Sequence, residues 1–299
     1  MGLNGPTFMR ETERNNNVSY LLAGGDSFTD PNFEAYFNRQ YDTSYSKWPE
    51  VLAKQLKISR VINVGRMGGS NQHMFDLIVD QIIVKPPKVV VVLLTAWDRI
   101  TPYGCQINPL EVAALSYEKN KLDQIKNQSN SVRLQQLNDL LKEVQSSNLM
   151  SIHETMISDY MTVDSIVNGT LRNIYLLQQL CKSVGADLLI AQGIDPIVSL
   201  PPEFGEEGVF RDRRIFHHWN YLKVLLQSPY FNQINWDKVT IGGPFFIQVG
   251  GISILHLLYD GDRDDNDQPL LIPNDGHPNK KGHEFIADIF FKDYQEKYL

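Results

Sequence analysis

The chain is poor in cysteine: Cys105 and Cys181 are its only two among 299 residues. They form no short-spaced pair, which argues against a zinc knuckle or a disulfide framework and fits a reducing compartment. No apolar run approaches the roughly eighteen residues that a membrane-spanning helix requires. The first residues, MGLNGPTFMRETERNNN, contain no apolar stretch of the kind a secretory signal needs. Met1-Gly2 has the start of a myristoylation site, but Pro6 stands where serine or threonine is expected, so Gly2 is read as unmodified. Without a secretion signal, the N-x-S/T triplets at Asn17, Asn127 and Asn168 carry little weight. A cytoplasmic protein is therefore expected. The net charge of -7, with no basic cluster against it, disfavours a nucleic-acid partner.

Metal-ligand patterns are also missing. His217-His218 and His256 lack metal-ligand spacing with one another or with the cysteines. Asp260-Gly261-Asp262-Arg263-Asp264 begins like a calcium loop but lacks its sixth-position glycine and twelfth-position glutamate, so a solvated acidic loop is expected. No metal and no cofactor is called for. G-x-S-x-G, the nucleophile elbow of α/β-hydrolases, does not occur.

What is present is an alternation of buried strands and helices. Tyr20-Leu21-Leu22-Ala23 suits a strand buried on both faces, and Gly24-Gly25 ends it in a sharp turn. Trp48-Pro49-Glu50 opens a helix continued by Val51, Leu52, Gln55 and Leu56. A second strand is predicted over Arg60 to Val64, followed by the glycine-rich turn GRMGGSN, a helix over His73 to Ile83, and a third strand over Lys88 to Leu94. A helix over Ile166 to Val184 and a strand over Asp187 to Ala191 resume the rhythm. Continuous apolar strands separated by helices imply a parallel sheet covered on both faces.

One domain over 1–299 is expected, interrupted by a helical insertion at about 100–165 and an aromatic-rich insertion at about 195–260. Leu134, Leu137, Leu141 and Val144 share a helical face in the first. Phe204, Phe210, Phe216, Trp219, Tyr221, Tyr230, Phe231 and Trp236 crowd the second around Arg211, Arg213 and Arg214. Such rings more often form local core than a sugar or acyl site.

Two stretches could carry chemistry. Asp26-Ser27 stands at a strand's carboxyl end, where open α/β sheets hold their ligands, although either residue could instead cap a helix. Far away, Asn274-Asp275-Gly276-His277-Pro278 places an imidazole and a carboxylate on one short turn before the last helix, in which Phe285, Ile286, Ile289 and Phe290 face inward. A serine hydroxyl needs an adjacent base, and that base needs an acid to orient it and to stabilise its protonated form. Asp275 is preferred to Asn274 as that partner because a neutral amide does not stabilise imidazolium. His283, beside the start of the helix, is read as structural.

GDSFTD with Ser27, NVGRMGG, LLTAWD and DGHPN occur in the order of the blocks of the SGNH (GDSL-type) esterases, and the chain resembles that family. The resemblance implies a flavodoxin-like three-layer α/β/α sandwich, with Ser27 as nucleophile and His277, held by Asp275, as base. The backbone N–H groups of Ser27 and Gly68 would be the oxyanion donors. An asparagine usually supplies a third donor, and Trp97 stands in its place, so Thr95, Asn71 or the Trp97 indole are candidate substitutes. The implied activity is hydrolysis of a short acyl ester, acetyl above all, on a small molecule or glycan. A weakened or inactive binding protein, for example a virion component, and an O-acyltransferase are the alternatives. The general look also resembles phage- or virus-encoded members, and the sequence sets no oligomeric state.

Overall fold

The computed structural model describes residues 19–35, 40–97, 163–194, 223–239, 241, 253–260, 269–273 and 275–299. Four strands, β1 (Tyr20–Gly24), β2 (Arg60–Asn63), β3 (Val89–Leu94) and β4 (Asp187–Gln192), form one parallel sheet in the order β2-β1-β3-β4. Leu22 pairs with Ile62 on one side and with Val90 on the other, and Val90 continues to Leu188. This is the start of the flavodoxin-like strand order, in which the chain runs outward from β1 to β2 and returns to β3 on the far side.

Right-handed crossovers running in opposite directions place their helices on opposite faces of the sheet. Accordingly α1 (Trp48–Gln55), between β1 and β2, packs with the C-terminal helix α4 (Lys280–Tyr298) on one face. Helix α2 (Asn71–Val84), between β2 and β3, packs with α3 (Val163–Val184) on the other. Alternate strand residues feed two cores. Tyr20, Leu22, Val90, Val92, Leu188 and Ile190 meet Ile78, Ile82, Leu171 and Ile174. Leu21, Ala23, Val91, Leu93 and Leu189 meet Trp48, Leu52, Ile286 and Phe290.

All six side chains of β3 are at most 1% exposed, and burial contributes about 1.5–3 kcal/mol for each large one. That is why a pattern without polar alternation forms the central strand. At the edge, β2 is only half-buried. Each predicted strand and helix that falls on described residues is present with ends shifted by a few residues; α2, for example, begins at Asn71 because the Ser70 hydroxyl accepts from the His73 N–H at 3.3 Å. In α4, Ile286, Ala287, Phe290 and Tyr294 are buried, whereas Phe285 and Ile289 are only partly so.

Of the first insertion only residues 163–165 are described, so its helix over Leu134 to Val144 lies outside the described residues. In the second, Tyr230, Phe231 and Trp236 join the core packed on α3, and Trp236 stands 5.3 Å from Phe231. Phe204, Phe210, Phe216, Trp219, Tyr221 and the three arginines lie outside the described residues. Among the described residues no helix is long and apolar enough to cross a membrane.

Candidate active site

The chain reverses direction between β1 and β3, so their carboxyl ends flank the switch point where such sheets hold ligands. Ser27 stands there. The strand does not run into a helix: Asp26 organises a tight turn instead, its carbonyl accepting from the N–H groups of Thr29 (2.9 Å) and Asp30 (3.0 Å). The Asp26 carboxylate accepts from the Phe28 N–H at 3.1 Å and from the Thr95 hydroxyl at 2.8 Å. Asp26 therefore braces the turn against the end of β3. Gly25 is required by the close approach: a Cβ there would lie 2.1 Å from Thr29 Oγ1 and 3.1 Å from the Leu93 carbonyl oxygen.

The His277 loop is built as a small antiparallel ladder. Leu271 bridges Pro278, the Ile272 N–H donates to the His277 carbonyl at 2.7 Å, and the Asn279 N–H donates to the Leu270 carbonyl at 3.2 Å. Gly276 turns at φ 41°, and the Asn279 side chain caps α4 by accepting from the Gly282 N–H at 2.8 Å.

The two stretches meet. His277 Nε2 lies 2.9 Å from Ser27 Oγ, and His277 Nδ1 is hydrogen-bonded to the Asp275 carboxylate. The Asp275 side chain is fully buried, while 23% of the His277 side chain remains exposed. The acid is thus shielded from water and the imidazole is reachable from outside. Asn274, the other candidate partner, lies outside the described residues.

The Gly65 to Ser70 turn docks onto the serine turn: the Arg66 N–H donates to the Gly25 carbonyl at 3.1 Å and the Met67 N–H to Asp30 Oδ2 at 2.8 Å. Gly68 sits in it at φ 71°, a left-handed conformation suited to glycine. Among the described residues the Ser27 N–H makes no hydrogen bond.

The three side chains considered as substitutes for the family asparagine have their donors bonded inside the protein. The Thr95 hydroxyl donates to Asp26 Oδ2. The Asn71 amide donates to the Thr95 carbonyl (3.0 Å) and the Ala96 carbonyl (3.4 Å), and its oxygen accepts from the Thr95 N–H at 2.9 Å. The Trp97 indole N–H donates to Gln192 Oε1 at 2.9 Å. The cause is burial: the segment after β3 is closed to water, so its backbone groups take neighbouring side chains as partners.

Several contributors carried no sequence signal. Phe33 lies over the His277 ring with centroids 4.3 Å apart and planes at 33°, and Phe28 meets the same ring edgewise at 5.6 Å. Tyr45 donates to the Pro278 carbonyl at 3.0 Å, and the Trp48 N–H donates to His283 Nδ1 at 3.2 Å. Burial, aided by the charges of Lys47 and His277, pushes the His283 imidazole down to about 3, so it is neutral and structural. Burial likewise lowers the Lys47 ammonium and raises the Tyr45 phenol.

Among the described residues no cluster of His, Cys, Asp and Glu could hold a metal ion. Cys181 is buried, and desolvation pushes its thiol up to about 12. Cys105, His217, His218 and the acidic run from Gly261 lie outside the described residues, as does the His256 side chain.

Compared by sequence, the chain matches no family model and no curated protein. Compared by structure, it is similar to a lipolytic protein of the G-D-S-L family from Desulfitobacterium hafniense, at 12% identity over 92% of this chain and 99% of that one (TM-score 0.41). It is also similar to the esterase EstA from Pseudoalteromonas sp., at 13% identity over 93% and 97% of the two chains (TM-score 0.41). A third such structure is Axe2, an acetylxylan esterase from Geobacillus stearothermophilus, at 12% identity over 92% and 93% (TM-score 0.40).

Proposed function

We propose that the protein is a serine ester hydrolase acting on a short acyl ester, acetyl above all, borne by a carbohydrate or similar polyol. The observation that carries this reading is the continuous hydrogen-bonded run from Ser27 Oγ through His277 to the buried Asp275 carboxylate. Ser27 Oγ attacks the ester carbonyl while His277 Nε2 takes its proton, and Asp275 stabilises the imidazolium. The tetrahedral oxyanion is held by the Ser27 and Gly68 backbone N–H groups. Collapse of the adduct breaks the ester C–O bond as His277 returns the proton to the leaving alcohol. Water, deprotonated by His277, then releases the carboxylic acid and restores Ser27.

The choice of acetyl and of a sugar rests on the resemblance of the sequence blocks. Hydrolysis of p-nitrophenyl acetate and labelling of Ser27 by a fluorophosphonate test the reaction. An unlabelled Ser27, or full hydrolysis by Ser27→Ala, overturns it. Product analysis with an added acceptor alcohol separates a hydrolase from an O-acyltransferase.

A second reading, a weakly active or inactive binding protein on the same fold, is favoured by one observation. The residue in the asparagine's place, Trp97, gives its N–H to Gln192. Such a protein would ignore the probe and bind a glycan unchanged.

A further inference from the structure

We infer that Phe33 is a positioning residue for the base, holding the His277 ring in register with Ser27 and favouring its protonated form during turnover. The role presupposes His277 as the base. Phe33 is 4% exposed, and its centroid lies 4.3 Å from that of the imidazole at an interplanar angle of 33°. An aromatic face carries negative quadrupole density and attracts a cation within about 6 Å of its centroid. In the proposed reaction His277 becomes a cation twice, once in forming the acyl-enzyme and once in its hydrolysis. A ring tilted by 33° at this distance still turns its face toward the imidazole and favours those moments over the resting neutral state.

Phe33 is itself held at both ends. Its N–H donates to the Asp30 carbonyl at 3.3 Å, tying it to the serine turn. Its ring packs with Ala35, Tyr41 and Ile272. Ile272 donates its own N–H to the His277 carbonyl at 2.7 Å, so Phe33 reaches the serine turn through its backbone and the imidazole and the ladder beneath it through its ring. Phe28, edgewise at 5.6 Å, restrains the ring's tilt from another side.

The charged and titratable groups around the imidazole come from each neighbouring segment. Asp275 lies on its own loop and Ser27 on the facing turn. Tyr45 donates to Pro278 beside it, and Lys47 holds its ammonium 4.3 Å from the Tyr45 ring and 5.9 Å from the Phe33 ring. His283, neutral, comes from α4. Lys47 also stands over the Phe33 ring, so the His277 titration is repeated in Lys47→Met, where a midpoint shift on Phe33→Leu reads the ring's effect on His277.

The test uses the full-length protein with Phe33→Leu, which keeps most of the apolar bulk and removes the π face, and Phe33→Tyr, which keeps the face. The His277 ring is titrated by NMR, and kcat and KM for p-nitrophenyl acetate are measured across pH. Phe33→Leu is expected to move the NMR midpoint down by about 0.5–1 pH unit and to lower kcat about three- to tenfold with little change in KM. Phe33→Tyr is expected to restore both. An unmoved midpoint in Phe33→Leu, or a loss that Phe33→Tyr shares in full, overturns the inference. Should Phe33→Leu fail to fold, pentafluorophenylalanine at position 33, similar in shape but reversed in quadrupole, gives the same two outcomes. The NMR midpoint needs no turnover: a wild-type protein inert to ester and probe, yet with a midpoint that follows the ring, would refute the hydrolase and leave the ring's effect standing.

Discussion

The backbone N–H of Trp48 donates to Nδ1 of His283, 3.2 Å away, joining the first turn of α1 to the first turn of α4. The same tryptophan stacks on Phe290 at 4.8 Å and gives its indole N–H to Thr29 Oγ1 at 3.2 Å. One residue thus couples the helix behind His277 to the turn that carries Ser27.

That bond requires neutral His283, which makes stability depend on pH. The folded imidazole is lowered to about 3 from an ordinary 6.5, so below 6.5 the unfolded chain takes up a proton that the folded one refuses. Stability therefore falls as pH drops through the window from about 6.5 to 3, at up to about 1.4 kcal/mol per pH unit from this group. Urea midpoints at pH 7, 5 and 4 should fall in wild type and flatten in His283→Asn, which keeps an acceptor and does not titrate.

Removing the charge from Asp275 should leave the turn folded and cripple the base. Asp275→Asn is expected to lower kcat by about three to four orders of magnitude on an acetyl ester. Asn274→Ala should change it less than tenfold, because the bond to His277 Nδ1 comes from Asp275. A reversed ranking would move the acid to the neighbouring position.

Trp97 offers a sharp test of the oxyanion site. Trp97→Phe removes the N–H that Gln192 accepts, and leaving that buried oxygen short of a donor should cost about 1–3 kcal/mol in denaturation. The phosphonate labelling rate of Ser27 should remain within a few-fold of wild type. Loss of a true oxyanion donor would lower turnover by about a hundred- to a thousandfold.

Gly25→Ala should damage stability and activity together. The added methyl meets Thr29 Oγ1, which cannot retreat without losing the Trp48 indole, and on another side the Leu93 carbonyl oxygen. Overpacking of this kind costs about 1–3 kcal/mol. Loss of melting temperature and of phosphonate labelling should appear in the same variant.

Much of this was legible along the chain. A run of valines and leucines with no polar alternation can satisfy itself only inside a sheet covered on both sides, so β3 and the parallel class follow from local pattern. Gly24-Gly25 before Asp26-Ser27, and Asp275 with Gly276 before His277, mark tight turns because their backbones need room that other residues deny. What pattern could not reach was pairing across space. Ser27 and His277 are 250 residues apart, and nothing local states that β1 and the Leu271–Pro278 ladder end at one cleft. Phe33 over the imidazole, Trp97 turned to Gln192 and Asn71 bound to Thr95 were likewise invisible, since an aromatic ring or an amide accepts many partners. The sequence alone determined which backbones must be buried and where they must turn. Only the tertiary structure decided which side chain meets which, because a buried donor takes whatever acceptor the packing of distant elements brings within reach.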